Sequence, residues 1–219
     1  MSIMRGATNF GHLTTIDRRL ARLGASADNL VVGEPNASMV KSRQFVERMT
    51  QIIWDRTNPN VSTKPLHERI TILQNKGAID DEIGALFHSV RLEGNKAVHE
   101  FEESRFEALH LVRTCHQLGN WLMSALKLDD QPSPYTPPSP RELGYDKLDE
   151  NGAYRLTDLT VPAHRPGLIF SFSGHYPPAG RSWRYTRQRL LELDNEGRIH
   201  RNPSGHLLLK RYCHETYPS

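Results

Sequence analysis

Arginines and aromatic residues are interleaved from Gly180 to Glu215, GRSWRYTRQRLLELDNEGRIHRNPSGHLLLKRYCHE. Arg181, Arg184, Arg187, Arg189, Arg198, Arg201, Lys210 and Arg211 stand among Trp183, Tyr185 and Tyr212. A guanidinium can meet a phosphate with a two-pronged donor fork, and an aromatic face can stack on a base. The chemistry offered is recognition of a polyanion, with Arg181, Arg184, Tyr185, Arg187, Arg189, Arg198, Lys210 and Arg211 as candidate nucleic-acid contacts. The same pattern also suits a small structural unit with Trp183 in its core and a solvated basic face. Charge is unevenly spread. Residues 161–219 carry nine Lys and Arg against four Asp and Glu, whereas residues 129–160 carry three against seven. That asymmetry favours a polyanionic partner for the tail.

Complete catalytic sets are absent. No G-x-x-x-x-G-K-[ST] phosphate loop occurs, so no ATP-driven motor is encoded. Tyr135-Thr136-Pro137-Pro138-Ser139 is not the D/N/S-P-P-Y/F motif of a methyltransferase. The 11 histidines are scattered, and no pair has zinc spacing with two further ligands, so neither metal nor cofactor is expected.

The elements that must position the basic residues are short. Thr186 can cap a helix carrying Leu190, Leu191 and Leu193, and Gly197 suits the left-handed residue that ends it. Arg198-Ile199-His200 reads as a strand, Asn202-Pro203-Ser204-Gly205 as a turn, and Leu207 to Tyr212 as a returning strand. From Tyr154 to Glu215 the tail resembles a segment of bacterial site-specific DNA methyltransferases. The resemblance rests on Tyr154-Arg155-Leu156-Thr157-Asp158-Leu159-Thr160, an aromatic strand with Phe172-Ser173-Gly174, Trp183-Arg184-Tyr185, a leucine-bearing helix, Gly197-Arg198-Ile199 and Lys210-Arg211-Tyr212-Cys213-His214-Glu215. It implies a segment outside the catalytic core, near the part that contacts target DNA.

The front half reads as helices. Phe10, Leu13, Ile16, Leu20 and Leu23 recur at helical spacing before Gly24. Asn36 can cap a second helix with Val40, Phe45, Met49, Ile52 and Ile53, followed by an Asn58-Pro59-Asn60 turn. Pro65 opens a third, ending at Gly77. Asp80 or Asp81 begins a fourth with Ile83, Leu86, Phe87 and Val90. Ser104 and Glu107 form a capping box before a long helix that reaches about Leu126. Amphipathic pieces joined by short loops argue for a helical bundle.

Residues 9–125 resemble the helical domain at the N-terminus of type I restriction enzyme motor (R) subunits, which is related to the HEPN superfamily. The matching residues are Asn9-Phe10, Lys41 to Glu47, Leu86-Phe87-His88, Arg91 and Gly94 to Glu100. Many HEPN members are RNases that use an Arg and a His about five residues apart on one helix. The resemblance therefore makes Arg91, Asn95 and His99 weak catalytic candidates. Gly94 occupies the arginine place, and Arg91 lies eight residues from His99, about 12 Å along a helix. A glycine there is also expected to interrupt the helix. A phosphate cannot easily bridge such a pair, so a structural role for the three residues is favoured.

Five prolines from Pro132 to Pro140 make a semi-extended spacer, and the acidic stretch Asp146–Glu150 reads as solvated. No run of about 18 apolar residues predicts a membrane span. The N-terminus has no apolar signal region, and Cys115 and Cys213 fit a reduced, cytoplasmic setting. The expected fold is mainly α: a helical bundle over residues 5–128, a proline-rich acidic linker over 129–151 and a small basic α+β module over 152–219. The expected function is a non-catalytic nucleic-acid-binding or assembly component of a bacterial restriction-modification or related defence system, partnered by DNA and restriction-modification subunits. The alternatives are a HEPN-like ribonuclease acting through Arg91 and His99, and a remnant of a larger restriction or methylation polypeptide.

Overall fold

The computed structural model describes residues 9–58, 62, 64–99, 104–129, 131–202 and 206–217. The expected turns at Pro59-Asn60 and Pro203-Ser204-Gly205 lie outside these residues, as does the side chain of His99. The chain divides into two compact units, residues 1–138 and 139–219.

The first unit holds five α-helices among the described residues: α1 (Arg18–Leu30), α2 (Pro35–Thr57), α3 (Leu66–Asn75), α4 (Asp81–His99) and α5 (Arg105–Ala125). Their starts follow local chemistry. The Asp17 carboxylate accepts the Leu20 N–H at 2.6 Å, the Asp80 carboxylate accepts that of Ile83 at 2.8 Å, and the Ser104 hydroxyl accepts that of Glu107 at 3.2 Å. Pro35 rather than Asn36 opens α2, because a preset φ and a missing N–H cost nothing at the first helical position. Phe10, Leu20, Phe45, Trp54, Ile70, Phe87, Leu111 and Leu118 fill the core.

Two glycines depart from the sequence expectation. Neither Gly24 nor Gly94 breaks its helix; each lets something pack directly on helical backbone. A Cβ on Gly24 would lie 2.2 Å from Cδ1 of Phe10, so the ring rests against α1, which continues to Leu30. A Cβ on Gly94 would lie 2.6 Å from the Arg43 Cβ and 3.0 Å from the Met39 carbonyl oxygen, so α4 lies close on α2.

The proline-rich stretch is extended, and part of it is held to the helices of this unit. Prolines cannot donate to a ladder, so side-chain amides supply the pairing. Asn120 exchanges two hydrogen bonds with the Ser133 backbone, at 3.0 and 3.2 Å, and Asn9 exchanges two with Thr136, both 2.9 Å. Between them the Tyr135 hydroxyl donates to buried Asp28 at 2.8 Å, and its ring lies 5.4 Å from that of His116.

The second unit is α+β. Its four-stranded antiparallel sheet has the order β1 (Lys147–Asp149), β2 (Gly152–Asp158), β6 (Leu207–Tyr212), β5 (Ile199–Arg201). A two-stranded ribbon pairs β3 (Thr160–Val161) with β4 (Ser182–Trp183). Helix α6 (Arg187–Asn195) is capped by Thr186, whose hydroxyl accepts the Arg189 N–H at 3.3 Å, and Gly197 at φ 69° ends it. A short α7 (Cys213–Thr216) closes the described chain. Leu190 and Leu193 enter the core with Leu159, Phe172, Trp183, Ile199, Leu207 and Leu209, while Leu191 projects to solvent. Phe172-Ser173-Gly174-His175 is a tight turn rather than a strand, with Ser173 at φ 49° and Gly174 at φ 79°.

The Asp146–Glu150 stretch is not simply solvated. Asp149 sits in β1 and accepts hydrogen bonds from the Lys210 ammonium at 2.8 Å and the Tyr212 hydroxyl at 3.0 Å. Lys210, then Tyr212, hold this carboxyl below the usual carboxylate range.

Candidate nucleic-acid interface

The basic residues of the second unit separate into two sets. The first set is committed to carboxylates. Arg181 donates to Asp158 at 2.6 Å and to the Thr160 hydroxyl at 2.7 Å, tying the β3–β4 ribbon to the end of β2. Arg189 pairs with Glu192 at 2.8 Å and Glu196 at 3.0 Å along its own helix. Arg198 reaches Glu215 at 2.7 Å and lies over the Tyr212 ring. Arg201 makes a two-pronged pair with Asp194, at 2.7 and 2.9 Å, and also meets the Ser173 hydroxyl in the tight turn. Lys210 pairs with Asp149. These five cations are largely neutralised where they stand, and their geometry braces the fold.

The second set has no ion pair among the described residues: Arg155, Arg184, Arg187 and Arg211, and also Arg141, Lys147 and Arg165. Arg184 and Arg187 are exposed, on the segment that leads from β4 into α6. The Arg187 guanidinium lies 4.7 Å over the ring of half-buried Phe170. Arg211 donates to the Tyr185 hydroxyl at 2.9 Å. Arg155 is the cross-strand partner of Arg211 in the β2–β6 ladder, so both project from the same face of the sheet. Its guanidinium lies 5.0 Å over the Tyr145 ring. Two like charges directly opposite on a sheet repel each other, and an anion bound on that face would relieve the repulsion.

The aromatic candidates also separate. Trp183 is core: it is 3% exposed, and its indole N–H donates to the Phe170 carbonyl at 2.8 Å. Tyr212 is buried, bonded to Asp149 and stacked on His214 at 5.5 Å. Tyr185 is half-buried and packs on the core through its ring, with its hydroxyl on Arg211. Sequence reasoning missed Arg155 and Phe170 as parts of this surface. Strand alternation in Tyr154-Arg155-Leu156 places Arg155 on one face, but only the ladder register sets it opposite Arg211.

Of the three catalytic candidates of the first unit, the side chain of His99 lies outside the described residues. Arg91, Asn95 and His99 all lie on α4, which runs unbroken from Asp81 to His99. Arg91 is half-buried and Asn95 exposed. Eight residues of continuous helix separate Arg91 from His99 by about 12 Å in rise. The arginine place itself holds Gly94, buried against α2. Among the described residues no group of three or more His, Cys, Asp or Glu is placed to hold a metal ion. His116 is a core residue, whose burial first and neighbouring His12 second push its pKa down to about 4. Cys115 is fully buried, its thiol pushed up to about 12 by desolvation. Among the described residues no helix is long and apolar enough to cross a membrane.

Residues 26–128 match the model of a domain of unknown function, DUF4145. The chain is 27% identical over 135 residues to the endonuclease subunit of the type I restriction enzyme EcoKI of Escherichia coli (strain K12), across 60% of this chain and 11% of that one. It is 36% identical over 69 residues to the type II methyltransferase M.EcaI of Enterobacter cloacae, across 31% of this chain and 15% of that one. The chain thus spans only a small part of the length of either relative. No solved structure matches it. Both similarities are to restriction-modification proteins.

Proposed function

We propose that this protein is a non-catalytic, DNA-binding component of a bacterial restriction-modification or related defence system. In this reading the second unit contacts DNA through Arg184, Arg187, Arg211 and Arg155, and the helical unit serves assembly with restriction-modification subunits. The observation that carries the reading is the division of the cations. Five are spent on internal carboxylates, and four without ion pairs are set around Tyr185 and Phe170. Phosphates attract the unneutralised set, whereas recruiting a paired arginine would first break its ion pair. The ribonuclease reading has no comparable support, because the arginine place is a buried glycine.

The test is the salt dependence of duplex binding by the full chain. Log affinity should fall linearly with log salt, and Arg184→Ala or Arg187→Ala should each reduce the slope by about one while weakening all sequences alike. Arg189→Ala and Arg201→Ala serve as internal controls and should leave the slope nearly unchanged. Equal effects from both sets, or no binding at low salt by folded protein, would overturn the proposal.

A further inference from the structure

The helical unit contains a cleft that the DNA-binding reading does not use. It encloses about 460 Å³ and is lined from α1, α2 and the start of α3, by residues that include Arg19, Gln44, Glu47, Arg48, Gln51 and Lys64. Arg69, in α3, lines it too.

Arg69 is the unusual group. It is only 3% exposed, yet it forms no ion pair among the described residues. One terminal nitrogen donates to the Gln51 side-chain oxygen, and its Nε has no partner among the described residues. A buried guanidinium with an unused N–H is costly unless something negative completes it. Desolvation, the larger effect, lowers its pKa, and the charges of Glu47 and Asp55 only partly offset that.

The rest of the cleft does not supply the missing charge. Arg48 is already matched by Asp17, at 2.5 Å and 3.3 Å, so that pair is close to neutral. Glu47 is drawn to Arg43 at 3.7 Å. Arg19 and Lys64 are exposed and form no ion pair among the described residues. Three cations therefore line one partly enclosed space, set against Glu47, which is shared with Arg43, and the nearby charge of Asp55. The Gln44 and Gln51 amides are engaged with Lys41, Asp55 and Arg69, and Leu23 gives one apolar wall. Space of this size, lined almost wholly by charged and amide side chains, suits a small and strongly charged ligand.

We propose that this cleft binds a small phosphorylated molecule, a phosphate monoester or diphosphate, with Arg69 as the buried anchor and Arg19 and Lys64 closing on the phosphate oxygens. A doubly charged phosphate group matches the local surplus. The Arg69 guanidinium keeps N–H donors beyond the one given to Gln51, and these can meet a phosphate oxygen. A DNA backbone phosphate carries one charge and stays at the duplex surface, so it is poorly suited to reach a guanidinium this deep. The site is separate from the DNA surface and does not rest on it.

The experiment uses the full chain with inorganic phosphate, pyrophosphate, adenosine mono- and diphosphate, and short oligonucleotides with and without a 5′-phosphate. Titration calorimetry and thermal melting are read together. Pyrophosphate or a mononucleotide should bind and raise Tm as mass action requires. Lys64→Ala and Arg19→Ala change exposed residues. They should leave the ligand-free Tm unchanged and weaken binding several-fold each. Arg69→Gln should lose at least about tenfold in affinity, the size expected for one charged hydrogen bond. Should Arg69→Gln fail to fold, the two surface variants decide alone. Absence of binding by every small phosphate at millimolar concentration overturns the proposal. So does binding that all three variants leave unchanged, or binding confined to the 5′-phosphorylated oligonucleotide. Duplex binding through Arg184 and Arg187 is measured separately, so either reading can fail without the other.

Discussion

Gly94→Ala measures how far the close approach of α4 to α2 dictates the chemistry of the helical unit. Two effects oppose each other. Alanine is the better helix former, by about 1 kcal/mol in a helix interior. Its methyl would meet the Arg43 Cβ at 2.6 Å and the Met39 carbonyl oxygen at 3.0 Å. Carbon atoms prefer about 3.5–4.0 Å, so the overlap with Arg43 is near 1 Å. Neither atom belongs to the movable end of a side chain. A carbonyl in an intact helix and a Cβ fixed to its backbone yield only if the helices part. Overpacking of this kind costs about 1–3 kcal/mol, which outweighs the propensity gain in most of its range. The expected net loss is up to about 2 kcal/mol, and Tm should fall by roughly 2–4 °C for each kcal/mol lost in a chain of this size. Gly94→Arg should be worse, since a longer side chain has the same Cβ to place. Scanning calorimetry with a urea titration reads both. A Tm at or above that of the parent for Gly94→Ala would refute the reasoning, because the helices would then have room to spare. The same packing keeps an arginine away from this position, so the purified chain should leave structured and unstructured RNA intact. RNA cleavage abolished by His99→Ala would reverse that conclusion.

Acid should weaken the first unit. His116 has a folded pKa of about 4 against an ordinary value of 6.5, so the unfolded chain takes up its proton first as pH falls. The stability is fully present above about pH 6.5 and declines towards pH 4, by roughly 3 kcal/mol at most. Urea unfolding at pH 8 and pH 5 reads the loss, which His116→Phe should reduce; a flat profile for the parent would contradict it. Trp183→Ala should remove about 3–5 kcal/mol and unfold the second unit, because its indole is core and hydrogen-bonded. Retained near-ultraviolet circular dichroism from that unit, with DNA affinity alone lost, would instead make Trp183 a stacking residue. We further propose that the two units are separate modules. Limited proteolysis should then leave a helical fragment that extends to about residue 138 rather than ending near 128, since Asn9 and Asn120 hold the extended stretch. A stable fragment ending near 128 would speak against that hold.

Local chemistry was readable from the chain itself. Asp80, Ser104 and Thr186 start helices, and Gly77 and Gly197 end them, because capping and positive φ involve only neighbours in sequence. The mainly α character, the small α+β module and the pairing of Leu207–Tyr212 into a sheet follow from periodicity in the same way. What periodicity cannot carry is which groups meet across the fold. Gly24 and Gly94 look like breaks until the Phe10 ring and α2 are seen against them. Asp149 looks solvated until β6 brings Lys210 and Tyr212 beside it. The eight cations between Gly180 and Glu215 form one list in sequence, because each carries the same charge there. Tertiary structure divides that list. Asp158, Glu192, Glu215, Asp194 and Asp149 are placed to neutralise Arg181, Arg189, Arg198, Arg201 and Lys210, while Arg184, Arg187 and Arg211 form no ion pair among the described residues. Buried Arg69 is the opposite case. Nothing in its sequence neighbourhood marks it, and only the packing of α3 against α2 removes it from water without supplying a counter-charge.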